Sequence, residues 1–212
     1  MRRSRVAYSV GSAFSGPSIC DHDAQHVGQN RSLWSLDAAK ARRLLPWSLE
    51  HMNAADASVV NSFAELACGF CNWCETSEPT IEPASQAASW LCKLYAAALL
   101  LPQVGPENSD GLPELPSDEF ERAKSNLGSF NGLYYREFSN PDPLKNGETV
   151  MGDVGDDLLD TYRDIRSGLL LFENGQKLEA LWFWAFLHHI HWGRHAVGAL
   201  FALHCLSIAK EE

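Results

Sequence analysis

Basic residues are scarce in this chain: 17 Lys and Arg stand against 27 Asp and Glu, a net charge of -10 over 212 residues. A nucleic-acid surface needs clustered cations to meet phosphates, so the shortage argues against nucleic acid, and against an anionic membrane surface, as a partner. Long apolar runs are missing too. Even the most apolar stretch, 178–208, is interrupted by five histidines and Arg194, so no membrane span is read there. No run alternates apolar and polar residues as a half-buried strand would, and no internal repeat or low-complexity tract occurs. Phosphate-cradling glycine motifs, H-E-x-x-H and a Ser or Cys nucleophile in a recognisable setting are also absent. What is present is 45% hydrophobic residues, enough for a substantial core. A soluble, cytoplasmic protein is expected, and its six cysteines then read as free thiols.

The chain divides by composition. Residues 1–51 carry seven basic and four acidic residues, a net +3, leaving -13 for 52–212. The run "VAYSVGSAF" after the first arginines contains Ser and Gly where a signal peptide needs an apolar stretch, and no A-x-A cleavage site follows. We therefore expect 1–51 to be an extension, largely unpacked or with one short helix opened by Ser35 and stopped by Pro46. The alternative is that Met52 is the natural start. Residues 52–212 are expected to form a single all-helical domain.

Within it, Val59, Phe63, Leu66, Ala67, Phe70 and Cys74 recur at helical spacing. After a proline-bearing break, Pro83 opens a second helix with Trp90, Leu91, Leu94, Tyr95, Ala98 and Leu101 on its apolar stripe, stopped by Pro102. The two should form an antiparallel hairpin. Four prolines in 102–116 dictate a surface loop, after which Ser117 is expected to cap a short third helix. "NGLYYREF" has no clear assignment, and "SNPDPLKNGETVMG" reads as a second long loop. Asp153 should cap a fourth helix that carries Leu158, Tyr162, Ile165, Leu169 and Phe172 inward and ends at Gly175. From about Gln176 to Ile208 the pattern is apolar nearly all round, which predicts one long helix surrounded by others. The fold class is all-α, a bundle of about five helices with a long, buried C-terminal helix.

One polar constellation interrupts that core. On a wheel of 3.6 residues per turn, His188, His191 and His195 fall within roughly 60° of one another, and so do Asp157, Asp160 and Asp164 on the preceding helix. If both helices turn back about Gly175, the acidic face reaches the level of His191 and Arg194. A buried Arg194 would need a carboxylate, which predicts a pair with Asp160 or Asp164. The cluster Asp157, Asp160, Asp164, His188, His191, Arg194 and His195 then has two readings. In one it is a structural network that requires no cofactor. In the other, Asp157, Asp160, His191 and His195 hold a divalent metal ion, as His and carboxylate groups on adjacent bundle helices do.

"CGFCNWC" has the spacing of iron–sulfur loops, but Cys68, Cys71 and Cys74 lie on a helix and fan over roughly 120° of it. Cys74 reads as a core residue, and Cys92 could approach Cys68 across the first hairpin. Trp182, Trp184 and Trp192 read as packing rather than as a stacking surface for a flat ligand.

"DDLLDTYRD" at 156–164, the short "ENG" turn, Ala180 and Trp184, "HWGRH" at 191–195 and the run Ala199 to His204 resemble the signature of a bacterial family, domain of unknown function 5063. The pattern of Phe63, then "LY" and "LLP" up to residue 102, extends the resemblance over most of 52–212. It implies an all-helical domain and transfers no activity or catalytic residue. The expectation for function is a non-enzymatic protein-interaction or regulatory domain with a protein partner. The alternative is a divalent-metal-dependent hydrolase of a phosphorylated or nucleotide substrate.

Overall fold

Helix periodicity and its stop signals account for most of the architecture. The computed structural model describes residues 54–76, 82–106, 113–140, 142, 144 and 147–209. The expected extension, its short helix at 35–46 and the alternative start at Met52 lie outside these residues. All described elements belong to one compact unit, Leu45–Glu212.

Helix α1 runs Ala54–Glu75 and α2 runs Pro83–Ala98, with Pro83 in the first turn where its missing N–H costs nothing. They are antiparallel, as expected. Trp73 Nε1 donates to Gln86 Oε1 at 3.0 Å while Phe70 meets the Trp90 ring at 6.4 Å, so partner numbers fall as chain numbers rise. Helix α3 (Ser117–Leu127) begins one residue earlier than its expected cap allows: Pro116 takes the cap position, with no side-chain hydrogen bond. Asp118 and Glu119 occupy its first turn, where the helix dipole favours them.

Between α3 and the next helix the chain forms two strands, the first in the unassigned "NGLYYREF" and the second at the end of the segment read as a loop. Strand β1 (Tyr134–Phe138) pairs antiparallel with β2 (Thr149–Asp153), with Tyr134 opposite Asp153 and Tyr135 opposite Gly152. Asp153 then caps α4 (Val154–Glu173), its Oδ1 accepting from the Gly155 N–H and its Oδ2 from the Gly132 N–H, both at 2.8 Å. Gly175 ends that helix at φ 81°, the left-handed turn expected there.

The C-terminal segment departs from the expected single helix. Helix α5 (Lys177–Ile190) stops, His191 takes φ -141° and ψ -88°, and α6 begins at Trp192 and runs to Ala209. Among the described residues the bundle thus has six α-helices and a two-stranded hairpin. The division depends on Gly193, where a Cβ would overlap the carbonyl oxygen of His188. The two helices approach too closely at this elbow for any larger residue.

Helix α4 packs against α1, α3, α5 and α6 and forms the centre of the bundle. The indoles read as packing are buried: Trp184 Nε1 donates to the Ile165 carbonyl and Trp192 Nε1 to the Trp184 carbonyl, each at 3.1 Å. Satisfying the N–H lets each ring contribute its apolar area, on the order of 2 kcal/mol or more, without a desolvation penalty. Helix α5 is enclosed from Leu178 to Trp184, whereas α6 exposes Val197 and Phe201, so the expected burial all round holds for only the first half of the segment. Cys71 and Cys74 are buried and burial pushes both thiols up, while Cys68 and Cys92 are exposed and free. Cys68 therefore lies apart from the two buried cysteines of α1, and none of the three is part of a metal-ligating group among the described residues.

Candidate metal centre

Helix α4 supplies the carboxylates. Asp157 and Asp164 fall two turns apart on its inner side, nearly inaccessible, and Asp160 between them is partly exposed. The elbow and α6 supply the imidazoles. His191 Nδ1 lies 2.7 Å from Asp164 Oδ2, and His195 Nδ1 lies 2.7 Å from Asp157 Oδ1. A carboxylate only accepts, so when either ring is neutral its proton sits on Nδ1 and the lone pair on Nε2, while the cationic ring carries a proton on both nitrogens. The two rings stand edge to face with centroids 4.8 Å apart. His195 Nε2 faces Asp160 Oδ2 at 3.7 Å, and Asp160 Oδ1 accepts from Arg163 Nη1 at 2.8 Å.

The environment sets the charges. Burial holds the Asp164 carboxyl above the usual carboxylate range, with the His191 hydrogen bond offsetting part of the effect. For His195, burial works against the charged ring, but the hydrogen bond to Asp157 and the charges of Asp160, Asp157 and Asp164 outweigh it, so the ring holds its proton more tightly than a free imidazole. Tyr135 on β1 donates its hydroxyl to Asp157 Oδ2 at 2.7 Å, and burial followed by that bond keeps the phenol protonated far above its ordinary range. Thr161 Oγ1 donates to the Asp157 carbonyl at 2.8 Å and completes the local network.

Asp160, His191 and His195 each bring one ligand atom into a group lying within 4.8 Å. Two donors on one ion at about 2.1 Å can be at most about 4.2 Å apart, so small side-chain rotations would close the group on a cation. Asp157, the fourth residue of the expected ligand set, is not in that group. Both of its oxygens are taken, one by His195 and one by Tyr135.

Two further expected members go elsewhere. The elbow turns His188 away from His191 and His195, into contact with Tyr95 at 4.7 Å and Trp192 at 4.8 Å between ring centroids. Its Nε2 is buried without a hydrogen-bond partner, and burial, with His189 beside it, pushes the ring below its ordinary range. Arg194 pairs not with Asp160 or Asp164 but with Glu137 of β1, at 2.9 Å, and its side chain is 56% exposed. Tyr135 and Arg163 were missed. Arg163 stands three residues after Asp160 on one helix face and was within reach of spacing arguments. Tyr135 lies 22 residues from Asp157 on an unassigned strand.

Residues 55–209 match the family described as Domain of unknown function (DUF5063). No match was found among curated proteins. The chain is similar to the crystal structure of protein BF1032 from Bacteroides fragilis, with a TM-score of 0.56 and 22% identity over 70% of this chain and 91% of that one. At that identity the likeness extends to the fold alone. Among the described residues no helix is long and apolar enough to cross a membrane.

Proposed function

The chain belongs to the family described as Domain of unknown function (DUF5063), and from that premise, which assigns no chemistry, we propose that it is a divalent-metal-binding helical domain. Asp160, His191 and His195 are the ligands. One observation carries the reading: each of the three groups is held by a partner of its own, and each brings one ligand atom into a group within 4.8 Å. Arg163 fixes Asp160, Asp164 fixes His191 and Asp157 fixes His195. Carboxylates on the far nitrogen of a ligating histidine set its tautomer and raise its basicity, and this site has two of them. With both rings neutral, three aspartates and Arg163 carry a formal charge of -2, which one divalent ion neutralises. Two nitrogens and one oxygen suit a transition metal such as zinc, iron or nickel better than calcium or magnesium.

The ion fastens α4 to the elbow between α5 and α6, the role of a non-enzymatic, regulatory domain that meets a protein partner. A second reading, a metal-dependent hydrolase of a phosphorylated or nucleotide substrate, draws support from one feature. Three protein ligands leave a coordination position for water, and the side chains of Asp160, His191 and His195 are 28%, 23% and 29% exposed.

The test is elemental analysis of protein purified without an affinity tag or chelator, then dialysed against zinc, beside Asp160→Ala and His191→Ala. Near-stoichiometric metal in the parent and little in either variant is the expected result. A parent that stays metal-free after loading would overturn the reading. Chelator-sensitive turnover of phosphoesters by the loaded protein would move the hydrolase reading to first place.

A further inference from the structure

The hairpin has no explained task in a helical bundle, and one of its inward side chains, Tyr135, reaches the Asp–His cluster. Tyr135 is placed by two glycines. Opposite it on β2 is Gly152, where a Cβ would overlap the phenol ring, and beneath it on α6 is Gly198, where a Cβ would overlap the hydroxyl. The slot therefore admits a tyrosine only because both walls lack side chains. Its hydroxyl reaches Asp157 Oδ2 at 2.7 Å, the oxygen that His195 does not use. Glu137, two residues along β1, holds Arg194 on α6 at 2.9 Å and fastens the same strand to the same helix.

We propose that Tyr135 is a positioning residue of the metal site, acting through Asp157 on His195, and that the hairpin serves to deliver it. This rests on the metal reading above. A carboxylate held by one hydrogen bond turns about its Cβ–Cγ bond, whereas one held at both oxygens keeps its plane. Asp157 is held at both, by groups from β1 and α6, so the His195 ring is fixed in direction as well as in tautomer. Without the hydroxyl, Oδ2 is released, the carboxylate plane is no longer defined, and Nε2 of His195 loses its fixed aim at the point shared with Asp160 and His191.

The experiment is a cobalt(II) titration of the full chain, followed by the visible d–d absorption of the bound ion and by the melting temperature without metal. Tyr135→Phe keeps the ring in its slot and removes only the oxygen. We expect it to bind cobalt(II) about tenfold more weakly, the lower end of what outer partners of metal ligands contribute, with altered band positions and a metal-free melting temperature lowered by the few degrees that one unsatisfied buried oxygen costs. Asp157→Asn should weaken binding more, and the double variant no further than Asp157→Asn alone, because the hydroxyl acts only through that carboxylate. Parent-like affinity and spectrum in Tyr135→Phe would overturn the positioning role and leave the metal reading standing. So would a lower metal-free melting temperature at unchanged affinity, which would make the hydroxyl structural only. No cobalt bands in the parent chain would overturn both.

Discussion

On one side of α4, Arg166 gives Nε to Glu119 at 2.9 Å and Nη1 to Glu173 at 3.0 Å, with Glu75 of α1 at 3.8 Å. On the opposite side of the same wheel, Asp157 and Asp164 each meet one imidazole Nδ1 at 2.7 Å. Both networks join distant helices through carboxylates, yet they differ in what the cationic partner can do next. A guanidinium is a donor only, so once its N–H groups meet carboxylates it has nothing left with which to bind. An imidazole that donates through Nδ1 still has a lone pair on Nε2. The burial of Arg166 lowers its affinity for its proton, but the bonds to Glu119 and Glu173 more than restore it, and the site is a closed clamp joining α1, α3 and α4. On the Asp–His side each imidazole has a second ring nitrogen, and in the neutral ring that nitrogen can coordinate.

The sharpest way to break that comparison is to remove each centre in turn. Arg166→Met strips Glu119, mostly buried, of its cation and leaves Glu75 with the Tyr162 hydroxyl at 2.9 Å and Arg122 at 3.5 Å. We expect a loss of about 3 kcal/mol in urea unfolding, the cost of stranding buried charge, with cobalt or zinc binding by the folded fraction unchanged. Weaker metal binding without a stability loss would reverse the assignment of the two networks.

Asp160→Asn tests the other side. The amide keeps an oxygen for Arg163 and loses the charge that a cation needs, so metal-free unfolding should shift by no more than about 0.5 kcal/mol. The effect should appear on adding metal. At a hundredfold excess over Kd the parent gains about 2.7 kcal/mol, seen as a rise in melting temperature, and the variant should gain almost nothing. Equal gains in both would place the ion elsewhere. Asp164→Asn should fall between. Its amide oxygen still accepts from His191 Nδ1, but a neutral partner leaves the ring less basic, and metal affinity measured by calorimetry should drop by about tenfold to a hundredfold.

These two sides were unequally legible in the sequence. The aspartates and histidines stand out because they interrupt apolar stripes at helical spacing, and the Gly175 turn brings the two runs to one level. The partition of roles did not follow, because it depends on the elbow. A continuous helix puts His188 beside His191 and His195 and aims Arg194 at α4. The bend at His191 sends His188 among Tyr95 and Trp192 and turns Arg194 outward. Gly193 was the available signal, but a glycine in a helical run is compatible with continuation, and only the approach of the His188 carbonyl makes it obligatory. The hairpin was hidden for a different reason. "YYREF" and "TVMGD" do not alternate apolar with polar residues: β1 turns Tyr135 and Glu137 inward and leaves Tyr134 and Phe138 in solvent, so apolar and polar side chains occur on both faces. Tyr135 thus escaped notice along with its strand.

Arg194 gives the smallest expected effect and separates the two descriptions of the C-terminal segment most directly. Were the segment a single helix, Arg194 would be buried against Asp160 or Asp164, and Arg194→Ala would strand a carboxylate at a cost of about 3 kcal/mol. Paired with Glu137 at 2.9 Å, with more than half its side chain in solvent, it makes the kind of ion pair that screening and side-chain entropy reduce to about 0.5 kcal/mol. Urea unfolding of Arg194→Ala, Glu137→Ala and the double variant should give a coupling of that size, shrinking further as salt is raised. Metal binding should stay at the parent level in all three. A large, salt-insensitive loss in Arg194→Ala with none in Glu137→Ala would mean that the arginine turns inward to α4, and the elbow at His191 would have to be redrawn.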